Sequence, residues 1–131
     1  MLTEIRKTDP ISPEAESYAN YLLCLSLDIG EEMLKSGAEV HRVEDTVERI
    51  CYAYGAIHVE VFAITTLIIA AVRMKDNSYS SQIRRVYNSS YSLSCLEQFN
   101  SISRRICRDT PPLEEVDGMI REAKEHRKYP F

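Results

Sequence analysis

Residues 35–54 constrain the fold of this chain more than any other segment, because they join a glycine break to a strongly polar helix. Gly37 can take the positive φ at which a preceding helix ends. Beyond it, Glu39, Glu44 and Asp45 fall in the opening turns of a second helix, with Arg42 among them, and carboxylates are favoured near a helix start. The apolar positions of this helix recur at helical spacing: Val40, Val43, Val47, Ile50, Cys51 and Tyr54.

Glycine and periodicity set the bounds of the neighbouring elements. The first helix is predicted over residues 13–36, since apolar residues recur every three or four positions there. Gly55 suits a left-handed end to the second helix. The period then changes to two, which predicts strands at 57–62, 65–72 and 79–87, the second of them central.

Helical spacing returns at Leu93, and Pro111-Pro112 separates two C-terminal helices. The order ααβββαα predicts an α+β fold, with two N-terminal helices, a small sheet of about three mainly antiparallel strands, and two C-terminal helices. A length of 131 residues with 44% hydrophobic content fits one core. We expect a single soluble domain at 13–128 and an N-terminal tail at 1–12.

Charge and cysteine spacing exclude several classes of protein. A net charge of −4 gives no basic field for a phosphate backbone, so we expect no nucleic-acid partner. The four cysteines form no C-x-x-C pair, which predicts reduced thiols in a cytoplasmic compartment and no zinc site. The longest apolar run, 61–72, is shorter than the roughly 20 residues of a membrane-spanning helix. We expect no cofactor.

The polar side of the second helix offers a candidate ligand site. Arg42 could hold a carboxylate through its guanidinium fork, while Glu39 and Asp45 could receive an ammonium group, and a free amino acid carries both charges. The alternative is a solvated surface in which Arg42 pairs with Glu39, and Asp45 pairs with Arg49 four residues on. Both interpretations stay open at this point.

Two further residues are ligand candidates outside the second helix. Thr65 lies where the central strand is predicted to begin, so its hydroxyl could reach a ligand or simply pack there. Asn100 is expected either to line a pocket with Arg42 or to bond to a buried backbone group. On the third strand Arg84 and Arg85 must point opposite ways, and we expect one of them to meet the acids of the second helix.

A hydrolytic site is a second hypothesis. His41 precedes Glu44 by three residues and Asp45 by four, so on a helix the three are candidate catalytic groups, one of them acting as general base. Residues from a single turn leave a metal incompletely coordinated, and no H-E-x-x-H motif is present, so we expect no metal. We favour a protein that is not an enzyme.

The chain resembles the soluble N-terminal domain of the threonine/serine exporter family over about residues 20–125. Part of the resemblance lies in the strand pair 59–72, the Arg84-Arg85-Val86 segment, Asn100 with the arginines that follow it, and the 113–115 helix start. The family motif comprises Ser36, Gly37, Ala38, Glu39, Arg42, Val43, Glu44 and Asp45.

The resemblance implies a fold, a role and partners. In this family the soluble domain precedes a multi-helix membrane domain, in some members on a second polypeptide, that exports threonine and serine. Residues 129–131 would then be a truncated junction to that domain, at the cytoplasmic face of the cell membrane. The implied role is gating, assembly or sensing, with the membrane domain and threonine or serine as partners. A homo-oligomerising interaction domain is the remaining alternative.

Overall fold

A computed structural model describes residues 13–87 and 90–128, and its elements follow the predicted order ααβββαα. This confirms the α+β prediction. The predicted tail at 1–12 and the junction at 129–131 lie outside the described residues. The elements are α1 (Pro13–Lys35), α2 (Val40–Ala53), β1 (Ala56–Ile64), β2 (Leu67–Met74), β3 (Tyr79–Arg85), α3 (Leu93–Asp109) and α4 (Leu113–Lys128).

The sheet is antiparallel, in the order β1-β2-β3, so β2 is central as predicted. Ile64 pairs with Leu67, which leaves only Thr65 and Thr66 for the turn between β1 and β2. The prediction that Thr65 begins the central strand is therefore wrong. Threonine is a favoured strand residue, and the turn lacks the glycine or asparagine that marks most two-residue hairpins.

The helices form two layers on one side of the sheet. α1 and α2 pack against the sheet, while α3 and α4 pack against α1. α1 is consequently buried on several sides, with Leu22, Leu23, Leu27 and Ile29 fully inaccessible. A helix between two layers buries apolar side chains on more than one side.

Gly37 links α1 to α2 and brings the start of α2 close to α3. It has a φ of 103°, in the left-handed region predicted for it. A Cβ at this position would lie 2.6 Å from the ring of Tyr91, which precedes α3. The backbone N–H of Ser92 also donates to the carbonyl of Ser36, at 3.1 Å. The connection therefore holds the N-terminal ends of α2 and α3 beside one another.

Among the described residues, no helix combines the length and the apolar composition needed to cross a membrane.

Candidate functional site

A groove of about 530 Å³ lies between α2 and α3. Its volume is within the range of small-molecule sites, which is about 300–1,000 Å³. Its walls are polar and carry charges of both signs. The lining residues are Glu39, His41, Arg42, Asp45, Thr46 and Arg49 at and along α2, and Asn100, Ser103 and Arg104 on α3.

Helical spacing explains why these side chains share one groove. α2 buries Val43 and Val47 in the core, so residues 42, 45, 46 and 49 form a polar stripe beside that apolar face. On α3, Asn100 and Arg104 are four residues apart and therefore lie on one side of the helix. The two stripes face each other across the groove.

One ion pair closes part of the groove. Arg49 contacts Asp45, with 2.9 Å between Nη2 and Oδ2, and both side chains are more than half exposed. This is the local pair that the solvated-surface alternative predicts. Exposed pairs of this type are worth about 0–1 kcal/mol, so the pair is weak and can rearrange around a ligand.

Other charges in the groove have no counter-ion among the described residues. Within the part of the chain that the structure describes, Arg42, Arg104 and Glu39 form no ion pair, and the side-chain amide of Asn100 forms no hydrogen bond. The predicted Arg42–Glu39 pair is therefore not formed. Two guanidinium groups, an amide and a carboxylate remain available for a bound molecule.

Two hydroxyl groups of the lining are already used by their own helices. Thr46 donates to the carbonyl of Arg42 at 2.9 Å, and Ser103 donates to the carbonyl of Asn100 at 2.9 Å. The charges of the lining are three guanidiniums and two carboxylates, and this balance favours a ligand with a carboxylate over one with only a positive charge.

The fold gives the three candidate catalytic groups different partners. The backbone N–H of Ala63 donates to Glu44 Oε2 at 2.9 Å, so the Glu44 carboxylate is directed to the exposed edge of β1, with His41 Nδ1 3.3 Å from its other oxygen. Asp45 pairs with Arg49 instead. Glu44 therefore anchors a strand edge and keeps its contact with His41, while His41, with 81% of its side chain exposed, and Asp45 line a groove that contains no residue of the sheet.

The acids near the start of α2 lie at its N-cap and in its second turn. Glu39 is the residue before the helix and its side chain makes no capping hydrogen bond, and the first turn of α2 contains no acid. Glu44 and Asp45 fall in the second turn, where the helix dipole acts weakly. Contact with the sheet and with Arg49 therefore positions these carboxylates.

Of the two remaining ligand candidates, one lines the groove and the other does not. Asn100 lies beside Arg42 in the groove, as one of its two expected arrangements requires, whereas Thr65 lies in the β1–β2 turn and does not line it. Arg104 was not predicted as a ligand residue, although its spacing from Asn100 is the signal that could have found it. Among the described residues, no group of three metal-ligating side chains is close enough to hold an ion.

Fold and groove together define the class of this protein: an α+β domain with a charged groove, between two helices, that can take a small charged molecule. The sequence model of the family described as "Putative threonine/serine exporter" matches residues 25–131, and the chain belongs to this family. The resemblance seen in the sequence is confirmed, and it relates the chain to transport and amino-acid export. No curated protein and no solved structure matches the chain.

Proposed function

We propose that this chain is the amino-acid-sensing part of a threonine/serine exporter, and that its groove between α2 and α3 binds threonine or serine. Membership of the exporter family supports the identity of the ligand. In this proposal the chain works at the cytoplasmic face of the cell membrane, and a membrane domain of the same or a second chain provides the transport path, which spanning helices must build.

The observation that carries the proposal is the pair of unpartnered guanidiniums in the groove, Arg42 from α2 and Arg104 from α3. A ligand carboxylate between them would contact both helices at once. Asn100 supplies an amide donor and acceptor at the same place, and Glu39 supplies the negative group for the ligand's ammonium. A ligand held in this way draws α2 and α3 together, and that movement is the signal passed to the membrane domain.

Calorimetric titration of the 131-residue chain with threonine and with serine tests the proposal. Arg104→Gln should weaken binding about tenfold, because a hydrogen bond to a charged group contributes about 1.5 kcal/mol where solvent has access. Arg105→Gln is the matched control: it removes the same charge from the next residue of α3, which is exposed and does not line the groove.

A ligand series tests the two charged contacts separately. N-acetylthreonine keeps the carboxylate but has no ammonium group, so it should bind more weakly than threonine if Glu39 receives that group. The sensing proposal fails if neither threonine nor serine gives a heat of binding, or if Arg104→Gln and Arg105→Gln weaken binding equally.

A further inference from the structure

The face of the sheet that points away from α1 and α2 is unusually apolar for an exposed surface. Phe62, Ile69 and Ile83 are 56%, 40% and 67% exposed, and Ile64 lies beside them at 43%. An antiparallel sheet with one solvated face normally carries polar side chains there. A continuous apolar patch of this kind marks a surface that is covered in the working protein.

Strand pairing arranges this face as a ridge and a valley. Phe62 pairs with Ile69, and Ile69 pairs with Ile83, so three large side chains cross the sheet in one row, which we call the ridge row. The row beside it contains Glu60 and two small residues. We call this the valley row, and it lies in a concavity of about 660 Å³ whose walls include all three ridge residues. The valley row consists of Glu60, Ala71 and Ser81.

We propose that this face binds a second copy of the same chain, with the two sheets packed face to face about a two-fold axis. If the axis runs across the strands between the two rows, it exchanges the ridge of one copy with the valley of the other. Ile69 then lies over Ala71 of the other copy, and Ile83 lies over Ser81. A two-fold contact must be complementary to itself, and this one sets Ile69 and Ile83 on small residues in both directions, while Phe62 lies over Glu60 at the β1 edge.

The outer rows of the face fit the same axis. It brings Arg85 of one copy over the Tyr79 ring of the other, a cation–π arrangement that Tyr79 already makes with Arg73 within one chain, at 5.6 Å. Arg73 in turn lies over Leu67, and Glu60 lies at the β1 edge. No two like charges are directly opposed, but Arg85 of one copy comes near Arg73 of the other at the Tyr79 ring, which agrees with a weak contact.

The size of the face predicts a weak dimer. Three strands about 4.8 Å apart and about seven residues long give a flat footprint of roughly 330 Å². Because side chains project from the sheet, the accessible surface is larger than this flat footprint, at roughly 500 Å² per copy. The total of about 1,000 Å² is the lower limit of a specific interface. Two copies held in one membrane would pair more readily than free ones, because their effective concentration is higher. This inference does not depend on the ligand groove.

Sedimentation velocity of the 131-residue chain over a range of concentrations tests the inference. The weight-average mass should rise from that of one chain towards that of two. Ile83→Lys should keep the chain monomeric, because it buries a charge in the interface. Leu93→Lys is the matched control, since Leu93 is also exposed, at 54%, but lies on α3 rather than on the sheet. This control should associate like the parent chain.

A second variant separates specific pairing from general adhesion. Ser81→Leu adds apolar surface but fills the valley, so it should weaken the dimer about tenfold, whereas non-specific association would become stronger. Phe62→Ser should weaken the dimer as well, and circular dichroism spectra equal to that of the parent chain would show that the variants are folded.

Three results would overturn the inference. The first is a chain that stays monomeric at every concentration, and the second is a Ser81→Leu variant that associates more tightly than the parent. The third is a monomer that binds phospholipid vesicles and loses this binding in Ile83→Lys, because the face would then contact the membrane.

Discussion

Replacing Arg84 by alanine should destabilise the domain more than any other loss of a single surface arginine. Its guanidinium bridges β3 to α1, with Nη1 2.8 Å from Asp28 Oδ1 and 3.3 Å from Glu31 Oε1, and Nη2 3.2 Å from the Cys24 carbonyl. The three charged side chains are only 20–23% exposed. Arg84→Ala leaves the Asp28 carboxylate without this partner and with little solvent around it, while Glu31 keeps its ion pair with Lys35 at 3.1 Å.

The expected loss lies between two limits. Breaking a buried ion pair costs about 3–5 kcal/mol, and breaking an exposed pair costs about 0–1 kcal/mol. With about one fifth of each side chain exposed, we expect the free energy of unfolding to fall by about 2–3 kcal/mol. For a domain of this size the loss would lower Tm by roughly 8–12 °C. Urea unfolding followed by circular dichroism measures it.

The adjacent arginine supplies the control. Arg85 points to the other face of β3 and is exposed, with the Tyr87 ring 6.0 Å from its guanidinium carbon, so Arg85→Ala should cost less than about 0.5 kcal/mol. The measurement belongs at concentrations where the chain is monomeric. The reasoning is refuted if both variants lose the same stability. It gains support if Asp28→Asn recovers part of the loss in the Arg84→Ala background, since one unpaired charge is then removed.

Two further changes test the backbone and the core. Gly37→Ala should lower the free energy of unfolding, measured with urea, by about 1–3 kcal/mol, because φ is 103° and the new Cβ would lie 2.6 Å from the Tyr91 ring. Gly118→Ala is the control: its Cβ would lie in open space on α4, so it should raise the free energy of unfolding by about 0.5–1 kcal/mol. A Gly37→Ala protein as stable as the parent would contradict this. Burial raises the pKa of the Cys51 thiol from 9.0 to about 11. Between these two pH values only the unfolded chain loses the thiol proton. The free energy of unfolding should therefore fall by about 3 kcal/mol as the pH rises across this range. Urea unfolding at several pH values should show a shallower alkaline decline in Cys51→Ala, and an unchanged slope would exclude this thiol as the cause.

Local patterns were sufficient to predict the order of the elements. Gly37 and Gly55 both adopt the positive φ that their position at a helix end requires, and the change from helical to alternating periodicity marks the start of the sheet. The alternation of buried and exposed residues along β1 does not include Ile57, which is 52% exposed, because the β1–β2 pairing shifts register between Ala56 and His58. An irregularity of this kind depends on the partner strand and leaves no local signal.

Ion pairs show the same division between local and distant information. The Asp45–Arg49 pair joins residues four apart on one helix, and the sequence alone predicts it. The prediction that Arg84 or Arg85 meets the acids of the second helix is wrong, because α1 rather than α2 packs over β3 and supplies Asp28. Which helix covers which strand is a property of the whole fold, and no spacing within β3 encodes it.

Glu44 shows how a candidate catalytic carboxylate takes a structural role in the fold. A carboxylate three residues from a histidine on a helix can take part in catalysis only if it does not already accept a structural hydrogen bond. β1 is an edge strand, and its outward N–H groups require hydrogen-bond acceptors. Glu44 meets that need at Ala63. Arg42 and Arg104 lie on helix faces that point towards another helix and not towards the sheet, so their side chains remain available to a ligand. The groove proposed to bind a ligand therefore lies between α2 and α3, and the exposed face of the sheet is the surface proposed to bind a second copy.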